Sequence, residues 1–307
     1  MSMSVGGESS LQHPKLVHFI RSPKGVLFAQ LILLAVLAAT TEGTRALIQV
    51  SAAAAAAMGI DALLMWRKHP KAESLSSALL TGIIVAMVLS PAEPLYVPVV
   101  GAAAAILSRH LIRLSGVHLF NPAALGIMAT WALFASQQSW WGGLADLPGP
   151  DVLVLLVLGA IIVWQVNKFP SVLAFLCAYF GLFALEAFFG NKLAVAEIFR
   201  QPFMGTVLFF ALFMLTDPPT TPARPSHQVW FGAAVAAVAF VCYLLTEGGV
   251  YYLLVALLAG NVVEGLRRWR GIRRGRRTRN HPGPSPTRDE PLSKFLAATH
   301  ATPTPDR

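Results

Sequence analysis

The chain has few charged residues and few cysteines, and both shortages restrict its class. Only 13% of its 307 residues are charged, whereas 55% are hydrophobic, and the mean hydropathy is +0.59. Soluble domains of this length carry more charge, so the composition indicates an integral membrane protein. The two cysteines, Cys177 and Cys242, lie far apart in apolar runs, which excludes a disulfide framework and favours core packing for both.

The N-terminus lacks the early apolar stretch of a secretory signal. A polar segment, residues 1–24, precedes the first apolar run, and many more runs follow it. We therefore expect no signal cleavage and interpret residues 1–24 as a cytoplasmic tail.

Apolar runs long enough to approach the membrane thickness recur along the chain. Crossing about 30 Å of hydrocarbon takes roughly 20 helical residues. The runs predict an all-α polytopic membrane protein with ten transmembrane helices, at residues 25–41, 46–66, 75–90, 95–108, 117–136, 151–166, 171–188, 203–216, 229–246 and 250–266.

The basic residues orient these predicted spans. With the N-terminus in the cytoplasm, only Arg45, Lys192 and Arg200 fall on the outer side, and all other basic residues fall inside. This asymmetry satisfies the positive-inside rule. We expect a multi-pass protein of the cytoplasmic (inner) membrane with both termini in the cytoplasm.

The net charge of +9 does not indicate a nucleic-acid-binding protein, because of where the charge lies. The run RRWRGIRRGRRTR, residues 267–279, directly follows the last predicted span. Basic clusters at such positions set topology and contact anionic lipids. We interpret residues 271–307 as a basic, disordered cytoplasmic tail, and we expect membrane lipids and no nucleic acid as partners.

Two predicted spans are short and end in proline-rich breaks. Residues 75–90 and 203–216 would form helices of about 24 and 21 Å, followed by VLSPAEPLYVP and MLTDPPTTPARP. Each is the third span of five, so we predict two five-helix inverted repeats, residues 25–136 and 151–270, joined by an extracytoplasmic loop at 137–150. Paired broken helices indicate a binding site at the centre of the bundle.

Polar residues at these breaks are the first site candidates. Asp217, next to Thr216, would lie at the cytoplasmic end of the broken eighth helix and face the bundle interior; a helix cap or an aqueous loop is the alternative. Ser90 would be its counterpart near the opposite face. The stretch HLFNPAALG places His118 and Asn121 at the start of the fifth span.

The remaining polar residues near span ends have plainer interpretations. The stretch LLAGNVVEG places Asn261 and Glu264 near the end of the tenth span. For Asp61 and Glu264 we favour contact with the membrane interface or pairing with Arg67 or Arg267. The histidines have no pair at a spacing suited to metal or haem ligands, so we predict no metal site.

Three motifs occur in order: SSALLTGIIVAMVLSP, FNPAALGIMA and FMLTDPPTTP. With them the chain resembles the NqrB/RnfD family, the flavin-carrying membrane subunits of the sodium-pumping NADH:quinone oxidoreductase and of the Rnf complex, over roughly residues 15–270. Within that family it is most similar to the short stand-alone, UnbU-like members. The resemblance implies flavin (FMN or riboflavin) inside the bundle and electron transfer with other redox subunits, a cytoplasmic electron donor or a quinone. The matched motifs supply these cofactor-binding candidates: Thr81, Gly82, Ser90, Asn121, Pro122, Thr216 and Asp217.

One segment departs from the family pattern. The family's redox subunits attach FMN to the threonine of a Ser-Gly-Ala-Thr type motif after the fifth span, but here that segment reads SQQSWWGGLADLPGPD and contains no threonine. We therefore expect any flavin to be noncovalent. Trp140 and Trp141 would be interfacial anchors, with a stacking surface for flavin or quinone as the alternative.

Two function classes follow from these observations. The first is a membrane electron-transfer subunit or accessory that binds flavin. The second is a transporter or channel for a small solute or ion, because inverted repeats with broken helices also build carriers.

Overall fold

The computed structural model describes residues 22–66, 72–114, 116–144, 151–246, 249 and 251–280. The chain divides into two units, residues 1–266 and residues 267–307. The first unit contains the helical bundle and every residue discussed below as part of a site. In the second unit, residues 267–280 are helical.

Within the described ranges, the bundle is all-α apart from one short hairpin. Its helices are α1 (Pro23–Glu42), α2 (Thr44–Met65), α3 (Ala72–Val88), α4 (Tyr96–Leu111), α5 (Pro122–Phe134), α6 (Asp151–Gln165), α7 (Phe169–Phe189), α8 (Phe203–Phe209), α9 (Pro225–Leu245) and α10 (Tyr252–Asn280). A π-helical turn, Phe210–Met214, continues α8, and short helical turns occupy Trp141–Gly143, Lys192–Val195 and Ala196–Phe199. Strands β1 (Arg113–Leu114) and β2 (Val117–His118) pair antiparallel.

Several helices have the length and composition of membrane spans. Helices α1, α2, α7 and α9 are each long and apolar enough to cross a bilayer, and α3, α4, α5, α6 and α8 are apolar but shorter. The chain is therefore an α-helical membrane protein. Each of the ten predicted spans overlaps one of the helices α1 to α10.

The start of α5 and the end of α10 differ from the predicted spans. The fifth span was expected from residue 117, but α5 begins at Pro122 because the Asn121 side chain accepts the Ala124 N–H at 3.0 Å and caps the helix. The residues before it form the β1–β2 hairpin, which turns at Gly116 with φ +86°. Helix α10 continues to Asn280, past the predicted boundary at 270, so residues 271–280 are helical; the rest of the predicted tail, residues 281–307, lies outside the described residues.

Within each predicted half, one long helix packs along others. In the first half, α2 packs along α3 and α4; in the second, α7 packs along α9 and only touches the π turn. Close approach needs glycine at one such contact, because a Cβ on Gly82 of α3 would lie 2.6 Å from the Ala53 carbonyl oxygen of α2. The halves meet where the Gln30 side chain of α1 donates to Leu158 O of α6 at 2.8 Å.

The cysteines do not both lie in the core. Cys177 on α7 is exposed on the surface of the isolated chain, and Cys242 on α9 is only half-buried. The prediction of core packing is therefore wrong for Cys177, which lies on the outer face of an apolar helix.

Candidate functional site at the break after helix α8

Helix α8 ends through a π turn and a proline pair. The Leu215 N–H donates to Phe210 O at 2.9 Å, and the Thr216 hydroxyl donates back to Leu212 O at 2.8 Å. Pro218 and Pro219 follow and lack the N–H groups that a further helical turn would use. The helix therefore stops inside the bundle, with Thr216 buried at its end.

Asp217 organises the loop that follows this break. Its backbone oxygen accepts the N–H groups of Thr220 and Thr221, both at 3.2 Å, and the Thr221 hydroxyl at 2.8 Å. One side-chain oxygen, Oδ2, accepts the Thr220 hydroxyl at 2.8 Å. The side chain keeps 26% of its surface exposed, so the carboxylate both shapes the loop and stays accessible to a ligand.

Two buried asparagines fix this loop against its neighbours. The Asn121 N–H donates to Oδ1 of Asn261 at 2.8 Å, and the Asn121 side-chain Nδ2 donates to Met214 O at 3.1 Å. The Asn261 Nδ2 in turn donates to Thr220 O at 3.4 Å. The start of α5, the end of the π turn and α10 therefore meet at one point.

His118 is the second titratable group of this cluster. Its Nε2 lies 3.7 Å from Oδ2 of Asp217, beyond hydrogen-bond range, and has no hydrogen-bond partner among the described residues. The side chain is 15% exposed. Asp217 and His118 therefore present an acceptor and a ring nitrogen that a bound group could use.

The opposite break, after α3, forms a separate polar cluster. The Ser90 N–H donates to Gln137 O at 3.0 Å, and the Ser90 hydroxyl accepts the Ala92 N–H at 3.2 Å. Gln137 follows the end of α5, whereas Asn121 precedes its start. A helix of 13 residues is about 20 Å long, so the two breaks lie at opposite ends of α5.

Thr81 and Gly82 lie within α3, where Thr81 bonds to its own helix and Gly82 allows a close contact with α2. The Thr81 hydroxyl donates to Ser77 O of its own helix at 2.9 Å, and Gly82 contacts α2. The structure brings together four of the predicted cofactor residues, and it places Ser90 at the other break. The four are Asn121, Pro122, Thr216 and Asp217.

Trp140 and Trp141 are core residues and not interfacial anchors. Their exposed fractions are 1% and 2%, and the Trp141 indole N–H donates to Ala86 O at 2.8 Å. The Trp140 ring packs edge-on against Phe209 and Phe210. The anchor prediction is wrong because this segment folds into the bundle between α3 and α8, and the burial leaves no face of either ring open for a stacked flavin or quinone.

Left-handed backbone conformations allow this inward fold. Ala135, Trp140 and Leu144 have φ of 51°, 53° and 58°, values that L residues adopt only when surrounding contacts hold them. The Ser139 and Trp140 N–H groups both donate to Val88 O, at 3.1 Å each, at the end of α3. The described part of the predicted extracytoplasmic loop is thus packed structure; residues 145–150 lie outside the described residues.

The two acids near span ends are buried. Asp61 is fully buried, with His110 Nε2 2.7 Å and an Arg109 nitrogen 3.6 Å from its Oδ1. Of the two outcomes expected for Asp61, interface contact is therefore wrong; the carboxylate is paired, but with His110 and Arg109, and the predicted partner Arg67 lies outside the described residues. Glu264 is 3% exposed, which also contradicts contact with the membrane interface.

Sequence reasoning underrated three members of the α8 cluster. Asn261 and His118 were recognised only as polar residues near span ends, and Lys168 only as a topological charge. Lys168 is 4% exposed, and its Nζ donates to Pro222 O at 2.6 Å and to Thr221 O at 3.5 Å. The available signal was a basic residue two positions before a proline, Pro170, but spacing alone does not reveal which loop Lys168 meets.

Comparison with known proteins shows the family of this chain. The family model described as the NQR2, RnfD, RnfE family matches residues 21–153 and 147–266. A relative from Actinobacillus succinogenes, named as a subunit of an ion-translocating oxidoreductase complex, is 26% identical, over 68% of this chain and 79% of the relative.

Other relatives match shorter stretches. The protein of the same name from Aliivibrio salmonicida is 35% identical over 36% of this chain. A subunit of the Na+-translocating NADH-quinone reductase of Chlamydia felis is 24% identical over 48% of it. The chain spans 32% of the length of each of these two relatives. Because the family model covers most of the bundle, this chain belongs to the NQR2, RnfD, RnfE family.

Proposed function

We propose that the chain is a membrane electron-transfer subunit or accessory of a redox complex in the cytoplasmic membrane. The observation that carries the proposal is that the chain belongs to this family. The break after α8, next to the partly exposed carboxylate of Asp217, is the place where a ligand would bind. Relatives are named as subunits of ion-translocating oxidoreductase complexes and of NADH-quinone reductase, so other redox subunits, a cytoplasmic electron donor and a quinone are the proposed partners.

The proposed architecture is ten transmembrane helices in two inverted repeats with both termini in the cytoplasm. The second and fourth helices of each predicted half pack against each other, α2 against α4 and α7 against α9, and this correspondence supports it. The asymmetric distribution of basic residues supports the orientation. In this arrangement Asp217 lies towards the cytoplasm and Ser90 towards the outer face.

A noncovalent flavin, FMN or riboflavin, is the proposed cofactor. Bound flavin would supply one- and two-electron transfer, and the protein would supply an apolar slot with a few polar groups. Asp217 would accept a ring N–H, and His118 would contribute its ring nitrogen. Asn121 and Thr216 already use their side-chain groups within the protein, so their role is to hold the loop.

A transporter or channel for a small solute or ion is the second candidate. The observation that favours it is the broken helix itself, because a partly exposed carboxylate at an interrupted helix also suits a cation. The relatives' names include ion translocation, which is compatible with this alternative.

A visible absorption spectrum of the purified protein separates the two candidates. The redox proposal expects an oxidised flavin band near about 450 nm that reductant bleaches. Mild denaturation should release this flavin into the supernatant, since the segment at 136–151 offers no threonine for attachment. A colourless protein that gains no band on incubation with FMN or riboflavin would favour the carrier, and colour that remains with the denatured chain would contradict noncovalent binding.

A further inference from the structure

The loops after the two broken helices are each met by a basic side chain from a corresponding position. Arg45, at the start of α2, donates to Ala92 O and Glu93 O at 3.1 Å each. Lys168, directly before α7, donates to Pro222 O at 2.6 Å and to Thr221 O at 3.5 Å. In both cases a basic residue at the start of the second helix of a predicted repeat donates to backbone carbonyl oxygens in the loop after the third helix. These oxygens have no helical N–H partner because the third helix is interrupted there.

The loop after α8 is rich in hydrogen-bond acceptors. Within residues 217–225, four positions are proline and contribute a carbonyl oxygen but no N–H: Pro218, Pro219, Pro222 and Pro225. The loop also carries the Asp217 carboxylate and follows the C-terminal, partially negative end of a helix. Its surplus of oxygen atoms favours a positive charge.

Burial distinguishes the two basic residues. Arg45 is exposed, so water can replace its hydrogen bonds. Lys168 is 4% exposed, and its ammonium group lies where water has little access. A tight connection holds it there, since its N–H donates to Val163 O at 3.0 Å and its carbonyl accepts the Ser171 N–H at 3.1 Å.

Two further buried oxygen atoms belong to this region. The Ser171 hydroxyl and the Gln228 side-chain oxygen are buried and have no hydrogen-bond partner among the described residues. The Gln228 Nε2 donates to Asn167 O and to Ala223 O, at 3.1 Å each, which places this side chain between the residues next to Lys168 and Pro222. The ammonium group thus contacts two backbone oxygen atoms, of Thr221 and Pro222, in a region that holds further buried oxygen atoms.

We propose that the loop after α8 is a site for a small monovalent cation, and that the chain fills it permanently with the Lys168 ammonium group. Ammonium, potassium and sodium ions are the ligand class that would replace the side chain if it were shortened. This inference rests on the contacts of Lys168 and does not depend on the redox proposal.

The test compares melting temperatures of the detergent-purified full chain in chlorides of ammonium, potassium, sodium and choline at equal ionic strength. The wild type should melt at the same temperature in all four, because its cation is covalently tethered. Lys168→Ala should melt about 3–8 °C lower in choline chloride. Ammonium, potassium or sodium chloride should restore much of this loss in a saturable manner, whereas choline should not, since choline is much larger than the ammonium group that it would have to replace.

Arg45→Ala is the matched control, because it removes the equivalent contact at an exposed position. It should shift the melting temperature little and equally in all four salts. Lys168→Gln, which is shorter and uncharged, is the second variant and should also be stabilised by ammonium chloride. Equal melting temperatures of both Lys168 variants in choline and ammonium chloride, or failure of both to fold in every salt, would refute the proposal.

Discussion

The backbone N–H of Asn121 donates to the side-chain oxygen of Asn261 at 2.8 Å, and this hydrogen bond joins the start of α5 to α10 beside the broken α8. Both side chains are buried, so an unpaired group left here is not rescued by water. We expect Asn261→Ala to destabilise the protein by about 1–3 kcal/mol. Thermal unfolding in detergent measures this loss.

The Asn121→Ala variant should lower the free energy of unfolding by a similar amount, because it removes the α5 cap and the donor to Met214 O. Both asparagines hold one loop, so the double variant should lose less than the sum of the single losses. Strictly additive losses would mean that the two side chains act independently.

Asp217→Asn tests the proposed ligand contact. The variant keeps the backbone hydrogen bonds of the loop and an oxygen for the Thr220 hydroxyl, so its melting temperature should change little. Loss of the carboxylate should weaken FMN or riboflavin binding by about 10- to 100-fold, measured by quenching of flavin fluorescence. A variant with reduced stability but unchanged affinity would instead assign Asp217 a purely capping role.

Gly82→Ala tests the close contact between α3 and α2. The added Cβ would lie 2.6 Å from Ala53 O, so the helices must separate, and we expect a loss of about 1–3 kcal/mol. Gly59→Ala on the exposed face of α2 is the control, because nothing lies within 4 Å of its Cβ position, and helix propensity should make it neutral or stabilising. Equal effects of the two variants on the melting temperature would contradict the contact.

Trp141→Phe tests whether the segment after α5 is packed inside the bundle. The change removes the indole N–H that Ala86 O accepts and leaves that buried oxygen with one partner fewer, at a cost of about 1–3 kcal/mol. Trp230→Phe is the control, since 76% of that residue is exposed. A lowered melting temperature for Trp141→Phe alone is the expected result; similar values for both variants would indicate an interfacial Trp141.

Reporter fusions test the proposed topology. A reporter fused after Arg279 should be cytoplasmic, and one inserted within residues 145–150 should be extracytoplasmic, because basic residues concentrate on the cytoplasmic side. Insertion at Gly142 is unsuitable, since a Cβ there would already lie 2.7 Å from the Phe209 ring. Both reporters on one side of the membrane would overturn the ten-span arrangement.

Local properties of the chain were enough to predict the membrane class, the helical segments and the break at FMLTDPPTTP. Each depends on neighbouring residues: apolar runs of sufficient length, and prolines that cannot continue a helix. The family could also be recognised, because its three motifs keep their order along the chain.

Which polar groups meet could be read only from the packed bundle. Asn121 and Asn261 lie 140 residues apart, and Lys168 reaches a loop 54 residues further on, so no local pattern predicts these contacts. The same holds for Trp140 and Trp141, whose flanks suggest a surface loop. Their burial follows from left-handed turns and from packing against α3 and α8. Hydropathy describes one segment at a time, so it does not reveal such contacts between segments.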